Sequence, residues 1–205
     1  MPGLDWQSIE SAKLACDPFD HIAIAQAIEH DCASRLPAEY PQIRSAGSFS
    51  LDDIRAGPAL AGLVADFRSE RFRTEMERMF GMNLEKHPAL VTLRGQCSPR
   101  DGRIHTDSKS KILSVLLYLN DGWSSGDGQL RLLRNGADLG SAAVEIPATM
   151  GSLVAFRRCD NSWHGHSLFV GSRRVLQLSY VRTERTSLVS ILRHRPSALS
   201  KLPVG

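Results

Sequence analysis

Cysteine is scarce in this 205-residue chain: there are four, Cys16, Cys32, Cys97 and Cys159, and no CxxC pair. Such scatter excludes a zinc ribbon or a disulfide framework and fits a reducing compartment, so a cytoplasmic protein is expected. An excess of one charge is also lacking. Lys and Arg total 25 against 22 Asp and Glu, a net charge of +3. That is too mild for a nucleic-acid partner, and no basic block interleaved with aromatics is present. No apolar run approaches the length of a membrane span, and the opening MPGLDWQSIESAKLACDPF lacks the charged-then-apolar order of a secretory leader. The expectation is a soluble protein with no membrane partner. Long-period repeats and low-complexity stretches are missing too.

What is there reads as an ordinary globular protein, with 42% apolar and 23% charged residues, long enough for one domain with a sizeable core. Residues 1–88 read as a mainly helical support. HIAIAQAIEHDCASRL (21–36) spaces Ile22, Ala25, Ile28, Cys32 and Leu36 by threes and fours, with Asp20 as N-cap and Pro37 as stop. A second helix is expected over 58–68, opened by Pro58. A third is expected over 69–81, capped by Ser69, striped by Phe72, Met76, Met79 and Phe80, and ended by Gly81. From about Pro88 the texture changes to short β-branched and aromatic runs: LVTLR, KILSVLLYLN, QLRLL, AAVEIP, SLVAF, HSLFV and RRVLQLSYV. Several short strands at this spacing predict a sandwich, jelly roll or barrel over 89–182. The tail, 183–205, holds a short amphipathic piece, SLVSILRH, and is otherwise weakly specified.

Successive side chains on a strand point to opposite faces. On KILSVLLYLN one face carries Leu113, Val115, Leu117 and Leu119, and the other carries Ile112, Ser114, Leu116, Tyr118 and Asn120. RRVLQLSYV divides in the same way, with Arg174, Leu176, Leu178 and Tyr180 opposed to Arg173, Val175, Gln177 and Ser179. The greasier faces suit packing under the helices. If the more polar faces share a cavity, Ser114, Tyr118, Arg173 and Gln177 furnish it.

The chemistry-bearing residues flank these strands. In GRIHTDSKSK, His105 and Asp107 share a strand parity; in SWHGHSLFVGSRR, His164 and His166 precede the last strand. A His-x-Asp triplet by itself is weak, since seven histidines and 22 acids in 205 positions give roughly one by chance. Two imidazoles and one carboxylate from strand ends that meet at a barrel mouth form a facial triad, which suits non-haem Fe(II) and oxygen chemistry. A three-ligand Zn²⁺ site is the rival on ligand types alone. Parity does not choose between His164 and His166.

HTD, LLYLND-W, GDGQLRL, P-ATMGSLVAF and WHGH…GSRR, in this order over roughly 90–182, resemble the 2-oxoglutarate and Fe(II)-dependent oxygenases of the prolyl-hydroxylase-like branch. The resemblance implies an α+β fold with a double-stranded β-helix (jelly roll) core behind N-terminal helices. It implies Fe(II) on His105, Asp107 and His164, with Arg173, nine residues after His164, gripping the far carboxylate of 2-oxoglutarate. A planar guanidinium fork matches a carboxylate with two hydrogen bonds. Tyr118, with Ser114 on the same face, is expected to assist there, and Arg103, Trp163 and His166 to meet substrate. Arg103, Lys109 and Lys111 around the triplet suit an anionic substrate, or are simply solvated loop charges.

The expected activity is hydroxylation of an unactivated C–H of an amino acid, a peptide or protein side chain, a sugar or a natural product. O₂ and 2-oxoglutarate would be cosubstrates, and the resemblance also implies stimulation by ascorbate. Asp107 argues against halogenation, because related halogenases lose that carboxylate to make room for a halide. The chain departs from many relatives in one place, Gly126-Asp127-Gly128 where they have a Gly-Gly pair. Other readings of these residues are a non-catalytic metal-binding jelly-roll module and a Zn-dependent lyase or hydrolase of cupin type. Oligomeric state is not legible here.

Overall fold

The structure, a computed structural model, describes residues 3–51 and 54–182; the expectations for the tail lie outside them. Helices α1 (Trp6–Glu10), α2 (His30–Glu39), α3 (Pro58–Arg68) and α4 (Glu70–Phe80) precede most of the sheet. Two short strands lie among them, β1 (His21–Ile24) and β2 (Phe49–Ser50). Then follow β3 (Ala89–Cys97), β4 (Lys111–Tyr118), β5 (Leu130–Leu133), β6 (Ala142–Ile146), β7 (Leu153–Arg157), β8 (His164–Gly165) and β9 (Gly171–Val181).

The strands form a six-stranded sheet in the order β1-β7-β4-β9-β3-β2 and a three-stranded sheet in the order β6-β5-β8. Their pairings are antiparallel throughout. Alternation decides how the layers stack. Leu113, Val115, Leu117, Leu176 and Leu178 turn to one side of the large sheet and are sealed there with Leu60, Leu63, Phe67, Phe72, Met76 and Phe80 of α3 and α4. Burying side chains of this size contributes about 1.5–3 kcal/mol each. Tyr118, Val154, Phe156 and Val175 turn to the other side and meet Leu130, Leu132 and Ile146 of the small sheet. Helices on one face and a second antiparallel sheet on the other make a mixed α and β architecture compatible with a jelly roll.

Helices α3 and α4 form where expected. Ser69 accepts a hydrogen bond from the Phe72 N–H, and Gly81 ends α4 in the left-handed region, at φ 57°. The expected helix over 21–36 is corrected. His21–Ile24 is a strand on the edge of the large sheet, with Ile22 opposite Ala155, and the helix begins only at His30. An apolar run beside an open sheet edge satisfies its backbone by pairing, so Asp20 caps nothing. Pro37 lies inside α2 and does not stop it. Its missing N–H is tolerated in the last turn, where Leu36 and Tyr40 are buried on either side.

HSLFV is the other correction: β8 is limited to His164–Gly165, and 166–170 is a loop in which Leu168 and Val170 are 66% and 62% exposed. Its apolar residues have no sheet face to cover. No helix among the described residues is long and apolar enough to cross a membrane.

Candidate metal and cosubstrate site

Two chain segments distant in sequence meet at the mouth between the sheets. His105 and His164 form an isolated antiparallel bridge: the His105 N–H donates to the His164 carbonyl (3.0 Å) and the His164 N–H to the His105 carbonyl (2.9 Å). A reciprocal pair places two side chains on one face, and the imidazole centroids are 4.3 Å apart. Asp107 lies two residues on, on the same face. Donor atoms of His105, Asp107 and His164 all fall within 4.8 Å of one another. Between the histidines of the WHGH segment, Gly165 is required by closeness: a Cβ there would lie 2.8 Å from the Gly102 carbonyl oxygen.

The protonation pattern suits a divalent cation. His105 Nδ1 is 2.8 Å from the Arg103 carbonyl and His164 Nδ1 is 2.9 Å from the Ser162 carbonyl. Because a carbonyl only accepts, each Nδ1 carries a proton, and Nε2 is the nitrogen left to face an ion. Burial lowers His164 to about 4, opposed by Asp107 and aided by His105, so it is neutral at physiological pH. Burial by itself would raise the Asp107 carboxyl. Lys111 and His164, with hydrogen bonds from Lys111 and Ser114, outweigh it and hold Asp107 at about 2. Two imidazoles and one carboxylate fit Fe(II), and equally fit a three-ligand zinc ion by donor type.

Asp107 is fully engaged. Lys111 Nζ donates to Oδ1 at 2.8 Å and the Ser114 hydroxyl to Oδ2 at 2.6 Å. Ser114, expected near the cosubstrate, therefore serves the carboxylate.

At the other end of the cavity, Arg173 is 6% exposed. Its Nε donates to the Gly128 carbonyl (2.8 Å) and its Nη2 to the Tyr118 hydroxyl (2.9 Å). Among the described residues no carboxylate pairs with it. A buried cation costs several kcal/mol unless an anion meets it, and this guanidinium lines the cavity. Tyr118 is fully buried behind it; burial raises its hydroxyl pKa. Having accepted from Arg173, the hydroxyl still has its own proton to donate. The Gly126-Asp127-Gly128 departure thus presents a carbonyl that steadies the arginine.

The cavity between these ends measures about 390 Å³. Arg103 and His166 line it; Trp163 does not, since its ring lies over Gly136. Strand alternation turns a neighbour of His164 outward. His166 is outside the donor group, with Nδ1 on the Ser167 carbonyl (2.8 Å) and Nε2 3.9 Å from Cys97 Sγ. Burial, then Arg173, lowers it to about 4. Arg174 projects to the other side of the sheet, its guanidinium 5.0 Å from the Tyr40 ring. Sequence reasoning missed the Lys111–Asp107 pair and the contribution of β2, whose Phe49 and Ser50 line the cavity. The i,i+4 spacing of Asp107 and Lys111 was a usable signal for the first; a two-residue strand leaves none for the second.

Residues 95–182 match the model of the 2OG-Fe(II) oxygenase superfamily. This segment is a 2OG-Fe(II) oxygenase domain. Solved structures with the same fold include three prolyl 4-hydroxylase or collagen prolyl hydroxylase chains. The Pseudomonas putida prolyl-4-hydroxylase is 19% identical with a TM-score of 0.55, covering 86% of this chain and 96% of its own. A prolyl 4-hydroxylase from Phytophthora capsici is 17% identical with a TM-score of 0.55, covering 94% and 75%. The viral collagen prolyl hydroxylase of Paramecium Bursaria Chlorella virus-1, solved as a 2OG complex, is 12% identical with a TM-score of 0.55, covering 82% and 99%. At these identities the likeness is one of fold. No curated protein matches the chain. The oxygenase domain makes the protein an enzyme, a 2-oxoglutarate-dependent dioxygenase, with Fe(II), 2-oxoglutarate and O₂ as its cofactor and cosubstrates.

Proposed function

We propose that the protein hydroxylates an unactivated C–H bond of a small molecule or of an amino-acid side chain. His105, Asp107 and His164 hold Fe(II), and Arg173, with Tyr118 behind it, holds the far carboxylate of 2-oxoglutarate. The observation that carries this reading is the pairing, in one cavity, of the three-donor group with a buried guanidinium that has no carboxylate partner among the described residues. A metal-binding scaffold has no use for such an anchor, and a zinc lyase or hydrolase would be set apart by its indifference to 2-oxoglutarate. The sheet orders support a double-stranded β-helix: β3-β9-β4-β7 faces β6-β5-β8, and the His105–His164 bridge extends the smaller sheet. On this view the chain is one domain, with residues 1–88 supporting a core over 89–182. Four cysteines free of disulfides support a reducing compartment, the cytoplasm.

Held by His105, Asp107 and His164, Fe(II) would supply activation of O₂, with 2-oxoglutarate converted to succinate and CO₂ and one oxygen atom passed to the substrate C–H. The protein's part is orientation and exclusion of water. The His105 and His164 Nδ1–H bonds to backbone carbonyls fix both rings, and Ser114 fixes the Asp107 carboxylate. Phe156, its ring centroid 4.7 Å from that of His164, walls the site with carbon. The test is Fe(II)- and O₂-dependent succinate formation by the purified chain, with mass spectrometry of the product. A product heavier by one oxygen atom is expected, with loss of activity in His164→Ala but not in His166→Ala. A chlorinated product in chloride buffer, or activity that needs zinc and ignores 2-oxoglutarate, would refute it.

A further inference from the structure

Five cations line the cavity (Arg94, Arg100, Arg103, Lys111 and Arg173) against two carboxylates, Asp101 and Asp107. Each carboxylate is already matched: Arg94 Nη2 lies 2.5 Å from Asp101 Oδ1, and Lys111 Nζ lies 2.8 Å from Asp107 Oδ1. Three positive charges are left over. Under the function proposed above, a divalent metal and the dianion of 2-oxoglutarate cancel each other and leave that excess untouched. Arg173 then meets the cosubstrate, while Arg100 and Arg103 stand exposed at the rim with no carboxylate partner among the described residues. A cavity walled by one sign of charge focuses its field on an incoming ligand of the other sign.

These two arginines are held by a folded loop. The Asp101 carboxylate accepts from the Ser98 N–H and the Ser98 hydroxyl, both at 2.7 Å, as well as from Arg94. The Gly102 carbonyl accepts from the His166 N–H at 2.9 Å. The loop is thereby tied at one end to β3 and at the other to the strand that delivers His164. Arg100 and Arg103 stand on either side of this tether, and Arg103 also supplies the carbonyl that orients His105.

We infer that the primary substrate is a small acidic molecule whose carboxylate or phosphate docks on Arg100 and Arg103. The cavity of about 390 Å³ must also hold 2-oxoglutarate, which leaves room for a small partner only. The inference rests on the oxygenase reading of this site. Its test uses the full chain loaded with Mn(II) and 2-oxoglutarate, titrated calorimetrically with two matched pairs, O-phospho-L-serine against L-serine and N-acetyl-L-aspartate against N-acetyl-L-asparagine. The acidic member of at least one pair should bind about tenfold or more tighter than its neutral partner, as a charge-assisted contact supplies. Whichever pair responds identifies phosphate or carboxylate as the recognised group. Arg100→Gln/Arg103→Gln should erase that preference and Arg100→Lys/Arg103→Lys should retain most of it, while Arg68→Gln on the exposed side of α3 leaves it as it was. Equal binding within both pairs, or a preference that survives the double glutamine variant, overturns the inference alone. Failure of 2-oxoglutarate to bind in the loading step overturns the cosubstrate reading, and this inference with it.

Discussion

On β4 and β9, Leu113, Val115, Leu117, Leu176 and Leu178 face the helices, while Ser114, Tyr118, Arg173 and Gln177 are interleaved with them on the opposite side. One face is closed by carbon and needs nothing from outside the chain. The other holds a cation bonded to a carbonyl and a hydroxyl but, among the described residues, to no carboxylate, and a carboxylate shared between a lysine and a serine. The contrast teaches that stability and ligand binding are divided by residue parity within the same strands, so substitutions two positions apart test one property and substitutions one position apart test different ones.

The largest effect should come from the helix side. Leu117→Ala is expected to lower unfolding free energy by about 2–5 kcal/mol, as deletion of a fully packed leucine does, measured by urea denaturation. Its KM for 2-oxoglutarate should move by less than about threefold, since the side chain points away from the cavity. Arg173→Ala should do the converse: KM for 2-oxoglutarate rises about 100-fold, while the urea midpoint stays close to that of the parent. A variant that unfolded instead would show that the guanidinium stabilises the fold, and the division by parity would fail. Smaller again is Lys111→Met. Removing a cation from beside Asp107 should tighten Mn(II) binding about tenfold, read by calorimetry. Weaker binding would show that Lys111 chiefly holds the carboxylate in place.

Much of this was legible because period-2 alternation needs no tertiary knowledge: the sorting of Leu117 from Tyr118 and of Leu176 from Arg173 follows from strand geometry. The triad positions were legible through the order of short motifs, and the helix over 70–80 through its cap and its glycine. The segment 21–24 was not, because HIAI satisfies a helical and an extended pattern equally and the open edge beside β7 decides between them. HSLFV misled for a related reason: its residues are strand-like, but 166–170 has no partner strand, and Phe169 instead packs on Trp123. The side to which Trp163 turns depended on the register of a strand only two residues long. Lys111 hid as a loop charge because its partner, Asp107, had been given another task.

The small sheet is fastened to the HTD segment through β8 by one reciprocal backbone pair, His105 with His164. An ion gripped by both imidazoles would rivet that seam from the side-chain direction as well. Loading the metal would then also finish the architecture, and chelators should loosen the rim of the barrel before they disturb the leucine layer beneath the helices.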